Sequence, residues 1–184
     1  MISRLGKAML GKYLWVTNSF SCGLLLGVGD GIQQCIEREI SGEKERLYDW
    51  KRTGQMFIVG LSQGPPHHIW YTQLDVVFPK RNFSTVCYKI LADQIIAAPL
   101  FAMTFFIGMA LVQGKGLSAG VEEFKKKFLA LYMFDWCFWP PVQSINFMWI
   151  PAQYRVIYIN IATVFWDVYL SYIKFYDQPR PKKP

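Results

Sequence analysis

The chain is short of charge. Only 18% of its 184 residues are Asp, Glu, Lys or Arg, where a soluble domain carries about 25%. It is also short of the residues that make soluble enzymes. The four cysteines, Cys22, Cys35, Cys87 and Cys137, form no CxxC pair and no zinc spacing, which excludes a disulfide-framed secreted module and a zinc fold. They read as small buried hydrophobes. The two histidines, His67 and His68, are adjacent and have no acid at zincin spacing. No serine sits in a nucleophile elbow. Gly27-x-Gly29-Asp30-Gly31 lacks a preceding strand and a following Lys-Ser/Thr, so it is not a phosphate cradle. Neither an enzyme nor a cofactor nor a metal is expected.

What replaces charge is apolar and aromatic surface, at 52% and 17% of residues. It is concentrated in runs. Residues 94–114, QIIAAPLFAMTFFIGMALVQG, hold no charge, and about 20 such residues cross a bilayer. Residues 13–29 are uncharged and run on past Asp30 to Ile36. Residues 53–74 are uncharged but contain Gln55, Gln63 and the histidine pair. Residues 156–166 continue past Asp167 to Ile173. The expected fold is an all-α, polytopic membrane helix bundle with four to five spans, in one domain over 16–176. A basic N-terminal segment, 1–15, precedes it, and a basic, proline-rich tail, 177–184, follows.

Punctuation divides the bundle. Asp49 is placed to start a helix, and Pro65-Pro66 is expected to bend or end it near Gly64. A loop is expected over 75–89, with Asp93 opening the third span. Glu122 to Lys127 reads as an interfacial helix start. The fourth segment, from Phe128, is expected to break at Pro140-Pro141, and the fifth to run from after Pro151 to about Tyr176. The first span carries Gly23, Gly27 and Gly31, and the second Gly60 and Gly64. These stripes let helix backbones approach closely. They permit a homo-oligomer without demanding one. Trp and Tyr near segment ends suit interfacial anchoring.

Net charge is +7. Thirteen of the 20 Lys and Arg fall in 37–52, 113–127 and the C-terminal stretch from Lys174. With five spans all three lie on one side, which the positive-inside rule makes the inner side, the matrix side for a mitochondrial inner-membrane protein; with four spans the bias vanishes. The start, MISRLGKAMLGK, has three basic residues, no acid and helical apolar spacing. It reads as a mitochondrial address or as a basic flank to the first span.

The block DWCFWPPVQSINFMWIPAQYRVIYINIATVFWDVYLSYIK, 135–174, places ionisable and amide groups at membrane depth. Such groups face other helices or a wet cavity, so each is a candidate. The polar residues in or beside the spans are Asp30, Gln33, Gln34, Gln55, His67, Asp93, Gln94, Asp135, Gln143, Asn146, Asn160 and Asp167. They either line a path for small solutes or pair across helices, with one another or with Arg52 and Arg155.

Four pieces carry a resemblance: GDGIQQ at 29–34, GPPHHIWYTQLD at 64–75, KILADQIIAAP at 89–99, and the long block above with its W-P, Q-x-x-N-F, P-x-x-x-R and W-x-x-Y-L-S elements. In this order they resemble the Mpv-seventeen family, which includes the 22-kilodalton peroxisomal membrane protein. VTNSFSCG, MFIVGLSQGP and RVIYIN are most similar to its Mpv-seventeen-like protein two branch. The resemblance implies a multi-pass protein of the mitochondrial inner membrane, or alternatively of the peroxisomal membrane. For the branch, it implies support of the assembly of the mitochondrial ribosome's large subunit, and of translation. For other members, it implies a weakly selective channel. Of the polar positions, it singles out Asp30, Asp93, Asp135, Gln143, Asn146, Arg155 and Asp167. Ribosomal contact would use the basic Lys174, Arg180, Lys182 and Lys183, with rRNA within their reach.

Overall fold

The computed structural model describes residues 14–41, 47–79, 82–151 and 154–177. They form five helices and, among the described residues, no strand. These are α1 (Leu14–Ser41), α2 (Trp50–Val77), α3 (Phe83–Val112), α4 (Leu117–Met148) and α5 (Arg155–Phe175). The expected address at the N-terminus and Arg180, Lys182 and Lys183 of the tail lie outside the described residues.

Each helix packs on its neighbours in sequence, and α5 closes on α1, so the five form a ring. The short connections make consecutive helices antiparallel. Asn18 meets His68 and Gly23 meets Phe57 across α1 and α2, and Lys127 meets Lys174 across α4 and α5. One end of the ring therefore holds the end of α1, the start of α2, the 113–116 connection and the end of α5. The other holds the start of α1, the end of α2, the start of α3, the end of α4 and the start of α5.

Local chemistry sets the starts. Asp49 caps α2 by accepting the Arg52 N–H at 3.0 Å, and Asn82 caps α3 by accepting that of Thr85 at 2.9 Å. Both caps satisfy a donor that the helix itself leaves free. The 75–89 loop contracts accordingly: α2 runs to Val77 and α3 begins at Phe83. Asp93 does not open its helix. It lies ten residues into α3, at the start of a π-helical turn over Asp93–Ala97.

The double prolines do not break their helices either. Pro65-Pro66 lies inside α2 and Pro140-Pro141 inside α4. A proline costs the helix an N–H and a clash, but neighbouring helices and side chains can compensate. Each pair is followed by a side chain turned back onto its own helix: the His67 Nδ1 donates to the Gln63 carbonyl at 2.8 Å, and the Ser144 hydroxyl to that of Pro140 at 2.8 Å. The carbonyls that the prolines leave without an N–H are those of Leu61, Ser62, Trp136 and Cys137. Glu122 to Lys127 lies in the first turns of the same α4, not in a separate element.

The exterior is apolar and the interior is partly polar. On α1 the exposed residues Phe20, Leu24, Val28, Ile32, Ile36 and Ile40 recur every four, while Asp30, Gln33, Gln34 and Glu37 are buried. Exposed Ile95, Ile96, Met103, Ile157, Ile161 and Phe165 extend the apolar coat over α3 and α5. Water does not favour this arrangement, and hydrocarbon does. The same coat explains why Cys35 and Cys137 are exposed rather than buried. By length and composition, α3 is long and apolar enough to cross a membrane, the one such helix among the described residues. The core proper is Leu26, Met56, Val59, Phe105, Phe106, Met109, Leu131, Leu170 and Ile173.

Candidate functional site

Two polar constellations lie inside the ring. The first is an ion network at the end that holds the 113–116 connection. Asp30, fully buried on α1, receives Arg52 Nε at 2.7 Å, and the same guanidinium reaches Glu37 at 3.0 and 3.1 Å and the Ser171 hydroxyl at 2.8 Å. Ser171 in turn donates to Asp30 at 2.7 Å, as do Thr53 at 2.6 Å and Gln34 at 2.9 Å. The Phe175 ring covers the guanidinium at 4.1 Å. Three helices are tied by one cation, four of whose five N–H groups meet Asp30, Glu37 and Ser171, and such pairing is the condition under which a buried charge is tolerated.

Beside it, Lys127 donates to Glu123 at 3.1 Å, to the Lys174 carbonyl at 2.8 Å and to Asp177 at 2.7 Å, and Lys174 pairs with Glu123. Burial works against the Asp177 charge, but the Lys127 ammonium outweighs it and holds the carboxyl below its ordinary range. Lys174 is 0% exposed. It is therefore not the outward-facing ribosomal contact expected from the tail. The last turn of α5 points it inward, to an acid 51 positions away.

The second constellation is a cavity of about 700 Å³ at the centre of the ring, lined by all five helices. Asp93, Asp135, Gln143 and Asp167 line it, so four of the seven polar candidates converge. Asp93 accepts from Trp70 Nε1 at 2.5 Å. Asp135, on α4, lines the same cavity as Gln94 of the π turn. Asp167, on α5, lies where Gly29 leaves room: a Cβ at Gly29 would come within 2.5 Å of that of Asp167.

Three candidates lie elsewhere. Asp30 serves the ion network. Asn146 is buried, with its Oδ1 unpartnered, away from the cavity lining. Arg155 Nε donates to the Ile150 carbonyl at 3.1 Å, closing the turn before α5.

Some lining residues carry no sequence signal. Asn18 and His68 bond at 3.1 Å across α1 and α2. Tyr132 donates to the Gln94 carbonyl at 3.0 Å, which the π turn presents. The aromatic residues also differ from the anchoring expectation. Trp139, Trp166 and Tyr169 pack with Phe134 and Phe138 into a seam between α4 and α5, and Trp139 and Trp166 face the cavity.

Among the described residues no group of three or more His, Cys, Asp or Glu is placed to hold a metal ion. The arrangement can hold a small polar solute, or pass one.

Comparison with known proteins gives a consistent result. Residues 110–171 match the model of the Mpv17 / PMP22 family. The chain is 33% identical to PXMP2/4 family protein 4 of Dictyostelium discoideum, over 89% of this chain and 88% of that protein. It is 30% identical to Protein SYM1 of Saccharomyces cerevisiae, over 85% and 81%. It is 28% identical to the mitochondrial inner membrane protein Mpv17 of Caenorhabditis briggsae, over 90% and 88%. No solved structure matches the chain.

Proposed function

The chain belongs to the Mpv17 / PMP22 family and is a protein of the mitochondrial inner membrane, and from that premise we propose that it is a multi-pass, non-enzymatic factor that supports assembly and stability of the mitochondrial ribosome's large subunit, and so translation. Five helices of at least 21 residues, in a ring with an apolar exterior, support five spans. At 1.5 Å per residue the shortest reaches about 30 Å, the thickness of the hydrocarbon core.

The observation that carries the ribosomal reading is the placement of exposed lysines. Lys51, Lys115, Lys125 and Lys126 are exposed, and all sit at the end of the ring from which the basic tail departs. The positive-inside rule puts that end in the matrix, where rRNA phosphates would meet it. Such contact weakens steeply with salt, because each neutralised phosphate releases counterions.

Sucrose-gradient fractionation of mild-detergent mitochondrial lysate tests this. The protein is expected to travel with the large subunit at low salt and to leave it at high salt. Its removal is expected to deplete assembled ribosomes. A protein that stays at the top of the gradient, with ribosomes unaffected by its loss, defeats the reading.

A second reading is favoured by the central cavity: a passage for small solutes or ions. Asp135→Asn and Asp167→Asn are then expected to alter conductance in a planar bilayer while the protein stays folded. Unchanged conductance in both variants counts against it.

A further inference from the structure

We propose that the central cavity is a binding site for an organic ammonium ion, an amine carrying an aromatic or apolar body. This names the ligand class of the cavity and rests on reading that cavity as a solute site.

The volume, about 700 Å³, falls in the range of small-molecule sites. The sign of charge comes next. Asp75, Asp93, Asp135 and Asp167 line the cavity, and no Lys or Arg is among its described lining residues. Asp75 is exposed at the rim and is neutralised by Lys89 at 2.5 Å. The other three acids lie deeper. A phosphate- or carboxylate-bearing solute would find three acids and no Lys or Arg partner among those lining residues.

The hydrogen-bonding inventory narrows the class. Asp135 Oδ2 and Gln94 Oε1 have no partner. Both side chains line the cavity, on residues 6% and 2% exposed. Both atoms are acceptors, so a partner for either must be a donor, and the Trp70 N–H is already taken by Asp93. An ammonium presents up to three N–H donors from one atom. A neutral hydroxyl presents one, and an anion none.

The backbone is built for the same purpose. Gln94 sits in the π-helical turn Asp93–Ala97, a distortion frequent at functional sites. The walls complete the match. Phe101, Tyr132, Trp139 and Trp166 offer aromatic faces, which attract a cation and cover an apolar body. A bare metal ion finds no comparable ligand set among the described residues.

The probe is tryptamine, with indole-3-propionate as a control of the same ring and chain length but opposite charge. Thermal unfolding of the purified full chain in mild detergent reads binding. Tryptamine is expected to raise the midpoint saturably by several degrees, and indole-3-propionate to leave it unchanged. Asp135→Asn is expected to weaken tryptamine binding at least tenfold. Gln94→Glu adds a carboxylate at an orphaned acceptor and is expected to strengthen it, a gain that a merely structural residue would not give. Equal shifts from both probes, or none from either, overturn the proposal; the second result would mean that water alone serves the two acceptors. Bilayer recording separates this from the passage reading. Carboxylate-dependent conductance without tryptamine binding removes the amine class and keeps the passage. Tryptamine binding without conductance keeps the amine site and removes the passage.

Discussion

Arg52→Met is expected to cost the folded protein about 3–5 kcal/mol, the usual penalty for removing one partner from a buried ion pair. In a chain of this length that corresponds to a fall in unfolding midpoint on the order of 10 °C. The reason lies in what the substitution leaves behind. Asp30 is fully buried and Glu37 nearly so. Both receive the Arg52 guanidinium, which also donates to Ser171 on α5. Without it, two carboxylates face each other in a dry interior, and the tie between α2 and α5 is cut. Arg52→Lys is expected to fall in between. It keeps the charge but offers a point donor where a planar fork serves three residues. Asp30→Asn is expected to be milder than Arg52→Met, since Arg52 keeps Glu37. Detergent-solubilised unfolding, followed by tryptophan fluorescence, reads all three. An Arg52→Met protein that unfolds at the parental temperature would show that the network contributes no stability.

The sequence makes four to five apolar segments legible, and with them the apolar coat, because charge-free runs of span length have few other uses. It also shows which polar groups need partners. It does not show how they sort. Asp30 and Asp167 look alike in sequence, each an acid in an apolar run. One meets Arg52 and the other lines a cavity. That difference is set by which helix closes the ring. Lys174 misleads for the same reason, since its partner Glu123 lies on another helix.

The prolines mislead differently. The local rule that a proline ends a helix is sound, yet at Pro65-Pro66 and Pro140-Pro141 packing against neighbouring helices outweighs it. The π turn has no sequence signature at all. It is visible only once Asp93 and Gln94 both face the cavity. Of the glycine stripe on α1, Gly23 meets α2 at close range, while Gly27 has only ordinary contacts. Gly29, which the stripe omits, is the close approach to α5.

Gly64→Ala and Gly54→Ala are expected to change stability in opposite directions, although they are the same substitution in the same helix. Glycine in a helix interior costs about 1 kcal/mol relative to alanine, so replacing it helps wherever the methyl group has room. At Gly54 nothing lies within 4 Å of the added Cβ, and Gly54→Ala is expected to stabilise by up to that amount. At Gly64 the Cβ would come within 2.7 Å of Ser19 Oγ and 2.8 Å of Ser19 Cβ, with the Ser19 Cα nearer still. A backbone atom cannot rotate aside as a side chain can. Gly60 makes the same contact one turn away, where a Cβ would lie 2.7 Å from the Gly23 Cα and 2.8 Å from the Cys22 carbonyl oxygen. Ser19-x-x-x-Gly23 on α1 thus faces Gly60-x-x-x-Gly64 on α2, and both helices are small where they touch. Accommodating a methyl there means moving α1 off α2. Overpacking of this kind costs about 1–3 kcal/mol, and here the displaced helix also carries Asp30 and the Asn18–His68 bond. Gly64→Ala is therefore expected to lower the unfolding midpoint while Gly54→Ala raises it. Two shifts of the same sign would mean that α1 and α2 do not pack through these glycines.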